Sequence, residues 1–270
     1  MNRFHRISAL VLVAIAVLAA SLIWLCAQTL ADDSSSRLLS DEDRQTLNEY
    51  LGNGVVGDPV QAPALSHGLN DLISLRDGIA WRMRVISGKA QGTQQRGSAG
   101  LLNRPEGGNA FRFDTGDGRN VLYGQIDKKG NLICYASQDN QEGVISRFTP
   151  AQPIFFADMT PGETRRSRSH VSVADLSEPD AETHSGDLDV EFTYLGAFQL
   201  TVPAGAFDAV LFRTRLTGKV GPATVQDTIY RFYAKNSGPV AVVETNDVSA
   251  LLVYHEKTRI GKVLVETILK

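Results

Sequence analysis

Cysteine is almost missing from this chain: 270 residues contain two, Cys26 and Cys134. Cys26 lies in an apolar leader, so a chain shortened past it keeps one thiol and can form no intramolecular disulfide. Stability must then come from an ordinary core. An excess of one charge is missing too, with 27 Lys and Arg against 30 Asp and Glu. Removing Arg3 and Arg6 with the leader makes the remainder more acidic. Phosphate backbones are held by basic faces, so this balance argues against a nucleic-acid partner.

Catalytic signatures are scarce as well. His67, His170, His184 and His255 stand in no His-x-x-x-His or His-Glu-x-x-His spacing, and a zinc site needs at least three convergent protein ligands. His170 and His184 flank an acidic stretch, where solvated histidines are the simpler reading. Ser98 lies in Arg-Gly-Ser-Ala-Gly, without the glycine two residues earlier that a nucleophile elbow requires. Asp114-Thr115-Gly116 is the tripeptide of aspartic proteases, whose chemistry needs a second such carboxylate. The chain contains no second Asp-Thr-Gly or Asp-Ser-Gly, and a strand ending in the turn Thr115 to Gly118 explains the same residues. No phosphate-cradling glycine loop is present. These absences lead us to expect no catalytic residue, no metal and no cofactor, with an unrecognised hydrolase as the remaining enzymatic alternative.

One long hydrophobic run is present, at the start. Ile7 to Leu25 carries no charge and follows Arg3, His5 and Arg6. A basic end, an apolar run and then small residues form the pattern of an export signal, and Thr29-Leu30-Ala31 fits a cleavage site. The run is also close to the ~20 residues that span a bilayer as a helix, so an uncleaved anchor is the alternative. Trp24 and Leu25 precede Cys26 where a lipobox has small residues. Residues 1–31 are therefore read as a signal peptide or signal anchor. The protein is expected to be exported, periplasmic or extracellular, or else held at the inner membrane through residues 7–25.

The remainder divides into a polar leader, short helix and linker over 32–66 and an antiparallel β domain over 67–270. Ser40 reads as an N-cap, with Asp41, Glu42 and Asp43 placed where negative charge meets the helix dipole. Leu47, Tyr50 and Leu51 at i, i+3 and i+4 predict a helix over 41–51, stopped by Gly52-Asn53-Gly54. Pro59 and Pro63 mark a linker, and a second helical turn is expected at 69–75. From Ile79 the period becomes two. Trp81, Met83 and Val85 alternate with Arg82 and Arg84, and Phe111 and Phe113 with Arg112 and Asp114. The runs 121–126 and 132–135 flank Asp127 to Asn131, a hairpin connection with Gly130 available for positive φ. Further strands are predicted over 190–194, 200–202, 207–216, 223–234, 239–245, 248–254 and 262–268. Residues 158–189, dense in charge and broken by Pro161, Gly162 and Pro179, read as a solvated connection, with a docking loop for a charged partner as the functional alternative. Cys134, among Leu132, Ile133 and Tyr135, reads as a small buried hydrophobe. The fold class is mainly β: a curved antiparallel sheet, as a half-barrel or open barrel, with one or two short N-terminal helices.

The stretch from Tyr194 to Val210, with Val202-Pro203-Ala204-Gly205-Ala206-Phe207 at its centre, resembles a segment that recurs in uncharacterised bacterial exported proteins. There a strand ends in Val-Pro-Ala-Gly-small-Phe and the chain returns as another strand. Those proteins are similar in style to lipoprotein carriers, in which a curved half-barrel sheet wraps a hydrophobic cleft. The resemblance covers about 17 residues and implies a fold, with no catalytic residue to carry over. Pro203, Ala204, Gly205 and Phe207 are its structural turn: Pro203 presets φ, Gly205 admits a backbone closed to side chains, and Phe207 returns to the core.

Strands with apolar residues on both faces need a second cover, whether helix, ligand or partner. Trp81, Phe192, Tyr194, Tyr230 and Phe232 are the candidate ligand or core face. The expected function is an envelope protein that binds a lipid or other apolar ligand in a curved β-sheet cleft. The alternative is a structural or interaction module with an envelope protein partner and no small ligand.

Overall fold

The computed structural model describes residues 39–62, 72, 78–102, 110–116, 118–250 and 254–269. Helix α1 spans Asp41–Leu51, as the N-cap and spacing predict. The Ser40 hydroxyl accepts a hydrogen bond from the Asp43 amide at 3.1 Å, closing one of the unpaired donors of the first turn. Leu47 and Leu51 are buried on its inner side. The second helical turn expected at 69–75 lies outside the described residues, except Leu72.

Thirteen strands follow among the described residues. They are β1 (Val56–Val60), β2 (Ile79–Ser87), β3 (Gln94–Leu101), β4 (Ala110–Asp114), β5 (Asn120–Ile126), β6 (Leu132–Asp139) and β7 (Val144–Phe155). Then come β8 (Thr164–Asp175), β9 (Glu182–Val202), β10 (Gly205–Val220), β11 (Ala223–Ala234), β12 (Gly238–Ala250) and β13 (Tyr254–Leu269). From β2 onward each strand pairs antiparallel with the next, and β13 returns to pair with β2. The result is a closed up-and-down barrel of twelve strands, with β1 as a thirteenth. β8 pairs with β9 from Glu182 to Thr193, and β1 takes the next stretch of the same edge, from Ala197 to Leu200.

The expected curved antiparallel sheet is present, and closure replaces its half-barrel or open-barrel form. Closure leaves no long unpaired edge in the barrel. The structure departs from the sequence reading in several segments, and β3 and β7 are strands to which the period-two reading assigns nothing. Residues 164–175 and 182–189, expected within a solvated connection, belong to the hairpin β8–β9, and the strands predicted over 190–194 and 200–202 are the rest of β9. Their charges sit across the ladder from each other: Arg166 bonds Glu191 at 2.8 Å, and Arg168 and His170 bond Asp187 at 3.0 and 3.1 Å. Cross-strand pairing accommodates a charge density that, read along the chain alone, resembles a loop. The break expected at Asn246-Asp247 is absent, because β12 runs through both residues from Gly238 to Ala250. Part of the expected linker, Val56–Val60, is strand β1, with Pro59 tolerated at the sheet edge.

Alternation sorts side chains between the lumen and the outer surface. Outside, α1 lies against the barrel. The buried Asp43 carboxylate accepts two bonds from Arg213 at 2.8 Å and one from the Tyr230 hydroxyl at 2.7 Å. Burial opposes its ionisation, but hydrogen bonds from Ser40, Tyr230 and Arg213 outweigh that and hold its carboxyl below the usual range. The Ser87 hydroxyl donates to the Tyr50 carbonyl at 2.9 Å. Gly261 allows this approach, since a Cβ there would stand 2.0 Å from the Tyr50 carbonyl oxygen.

Inside, Phe155, Phe192, Tyr194 and Tyr233 gather around Phe212, with ring centroids between 4.8 and 6.4 Å from it in each direct pair. Trp81 and Phe113 form a separate pair at 5.1 Å. Gly97 makes room for the indole: a Cβ at that position would be 2.3 Å from Trp81 Nε1.

Candidate functional site

Side chains do not fill the lumen. Beside the aromatic cluster lies a cavity of about 430 Å³, lined from β2 to β7 and from β11 to β13. That volume falls within the roughly 300–1,000 Å³ typical of small-molecule sites. Its apolar wall includes Trp81, Met83, Phe113, Leu122, Ile154 and Ile229. Tyr233 belongs to this wall and also packs on Phe212.

The polar wall is built by three cross-strand rows on β11, β12 and β13. Arg231 lies opposite Val242, which lies opposite Lys262. The next row is Ile229, Glu244 and Ile260, and the third is Asp227, Asn246 and Thr258. Row membership puts Glu244 diagonally between Arg231 and Lys262, on the same side of the sheet. All of these side chains line the cavity. On its far side Arg119 donates to Asp139 at 2.7 Å, so those two charges neutralise each other.

Two features of the polar wall stand out electrostatically. Lys262 is only 7% exposed, and no ion pair joins it or Arg231 to a carboxylate among the described residues. Asp227 is set in the opposite sense: burial pushes its carboxyl up to about 8, Glu244 adds to the rise, and Arg231 opposes it. Its buried Oδ1 and that of Asn246 opposite have no hydrogen-bond partner among the described residues. A protonated Asp227 can donate where an ionised one cannot.

The sequence-derived candidates separate. Trp81 lines the cavity, whereas Phe192 and Tyr194 belong to the aromatic cluster around Phe212. Tyr230 and Phe232 point to the other face, where Tyr230 meets α1 through Asp43. Pro203 and Ala204 connect β9 to β10, Gly205 has φ 130°, and Phe207 pairs across from Leu200. Cys134 is buried, and burial pushes its thiol up to about 12, which leaves it unreactive near neutral pH. Asp114 caps its own turn by accepting from the Gly116 amide at 3.0 Å. Among the described residues no group of three or more His, Cys, Asp or Glu could hold a metal, and no helix is long and apolar enough to cross a membrane.

Sequence reasoning missed Asp227, Arg231, Glu244 and Lys262. Their signal was present as alternation: Asp227, Ile229, Arg231 and Tyr233 share one parity. A half-buried strand normally turns such charges to solvent, and only the register shows that this parity faces a lumen.

The architecture is thus a closed antiparallel barrel with a mixed apolar and charged internal cavity. No protein-family model matches the chain, and no curated protein matches it. Among solved structures it is similar to a protein with a YmcC-like fold from Bacteroides fragilis, at 13% identity and TM-score 0.37, over 73% of this chain and 98% of that one. It is similar also to the hypothetical lipoprotein YmcC of Escherichia coli, at 10% identity and TM-score 0.35, over 72% of this chain and 89% of that one. These scores lie below 0.5, and the barrel described above rests on its own strand register.

Proposed function

We propose that the protein is a non-enzymatic, exported envelope protein that holds an apolar ligand or lipid inside its barrel. The observation that carries this reading is the cavity of about 430 Å³, bounded by Trp81, Met83, Phe113, Leu122 and Ile154 within a sheet that closes on itself. Apolar walls left unfilled forgo the dispersion contacts that a close-packed core gains, and an apolar occupant restores them. The export signal read in residues 1–31 supports an envelope location. The charges of β8–β9 pair with each other, which speaks against that segment as a docking loop for a charged partner.

Native mass spectrometry of the purified protein tests this function. The expected spectrum shows a retained lipid-sized adduct, and a protein stripped of it takes up a fluorescent fatty acid. An empty protein that takes up no such probe would sink the proposal. N-terminal sequencing of the protein recovered from cells tests export separately, with a start at Asp32 expected for a cleaved signal.

A further inference from the structure

By formal charge the cavity lining balances, with Arg119, Arg231 and Lys262 against Asp139, Asp227 and Glu244, and the protonation of Asp227 decides the remainder. Arg119 and Asp139 cancel at 2.7 Å, which leaves Arg231 and Lys262 facing Asp227 and Glu244. Asp227, raised by burial and by Glu244, is largely uncharged at neutral pH. One cation is then in excess. Lys262 is 7% exposed as a residue and, like Arg231, forms no ion pair among the described residues, so the two cations give this part of the cavity wall a positive field that an anionic group would meet favourably.

The position of the excess is defined by the register. Arg231 and Lys262 occupy one cross-strand row, separated by Val242 of β12, so their backbones are two inter-strand spacings, or about 10 Å, apart. Phe212 and Val85 extend the row on either side, so neither cation meets an acid along it. Both side chains are long enough to converge over Val242 from the two sides. There a guanidinium fork and an ammonium could share a single carboxylate. Trp81, Met83 and Phe113 line the same cavity and offer apolar surface to a chain attached to that head.

From this arrangement we infer that the barrel binds an amphipathic monocarboxylate, its head held between Arg231 and Lys262 and its apolar chain against the Trp81–Phe113 wall. The inference rests on the ligand-binding function proposed above and specifies the class of ligand.

A head-group series measured by isothermal titration calorimetry on the wild-type protein tests it, using dodecanoate, its uncharged methyl ester and the dodecyltrimethylammonium cation. The expected order is dodecanoate at least tenfold tighter than the ester, with the cation weakest. In Lys262→Met and Arg231→Met, which keep most of the side-chain volume, dodecanoate should weaken about tenfold while ester binding stays within twofold. Ester and carboxylate binding equally would overturn the anchor and leave the cavity function standing. The cation binding best would also overturn it, in favour of the acidic pair Asp227 and Glu244. No binding by any of the three would overturn the proposed function itself. The wild-type series decides the question even if either variant fails to fold.

Discussion

Asp227 shows how much one side chain can report. Its carboxyl titrates near 3.8 when unfolded and at about 8 in the barrel, owing to burial and then to Glu244. Between those values the native state keeps a proton that the unfolded chain has released, so this residue makes stability fall as pH rises through that window. Asp43 acts in the opposite direction. Its carboxyl is held low by Ser40, Tyr230 and Arg213 against the cost of burial, so its contribution is present above about pH 4 and is lost on acidification. Asp227→Asn should remove the first effect alone. Urea midpoints at pH 5 and pH 8 are expected to converge in the variant relative to wild type. An unchanged difference between the two pH values would show that Asp227 is already ionised in the native barrel.

Among the elements, α1 carries more than its 11 residues suggest. It covers outward-facing side chains of β10 to β13 that would otherwise meet water, and it is attached at two points, Asp43 to Arg213 and Tyr230, and Tyr50 to Ser87. Leu47, 1% exposed, is its central apolar contact with the core. Leu47→Ala should cost about 2–5 kcal/mol through lost transfer energy and a residual cavity, read from urea unfolding monitored by circular dichroism. Ligand binding should change little in that variant, because α1 lies outside the barrel and the cavity inside. A variant that loses its ligand along with its stability would couple the two faces. The sequence made this helix legible to the residue, since an N-cap, acidic first turn, apolar spacing and glycine stop are all local signals. β1, β3, β7 and β8 were not legible: Pro59 in β1, the polar and small residues of β3, Pro150 and Pro153 in β7 and alternating Arg and Ser in β8 mask the apolar alternation that marks a strand, and their pairing partners decide their state.

For the molecule as a whole, the proposed ligand binding requires the lumen to remain partly empty. The cluster around Phe212 fills one region and the Trp81–Phe113 pair borders the other, so a modest gain in side-chain volume can change the outcome. Leu122→Trp places a larger ring against the cavity wall. Fatty-acid uptake should drop at least tenfold while the β-sheet circular dichroism spectrum is retained. Overpacking strain of about 1–3 kcal/mol is the expected stability cost if the ring cannot settle in the void. Full uptake by a folded Leu122→Trp protein would place the ligand elsewhere.

The amino-acid sequence by itself determined the apolar leader, the helix over 41–51, most strand positions and the hairpin turns at Asp127–Asn131 and Pro203–Ala204, because capping, turn and period-two signals act over a few residues. Only the tertiary structure decided that the sheet closes and which parity faces inward. Tyr230 and Arg231 are neighbours, and both faces of their strand carry large side chains, so alternation separates them without ranking the faces. Pairing β13 with β2 ranks them: it turns Arg231, Lys262 and Trp81 toward one lumen and leaves Tyr230 to α1. A contact between strands more than 150 residues apart leaves no trace in either strand alone, and the cavity and its charges exist only once that contact forms.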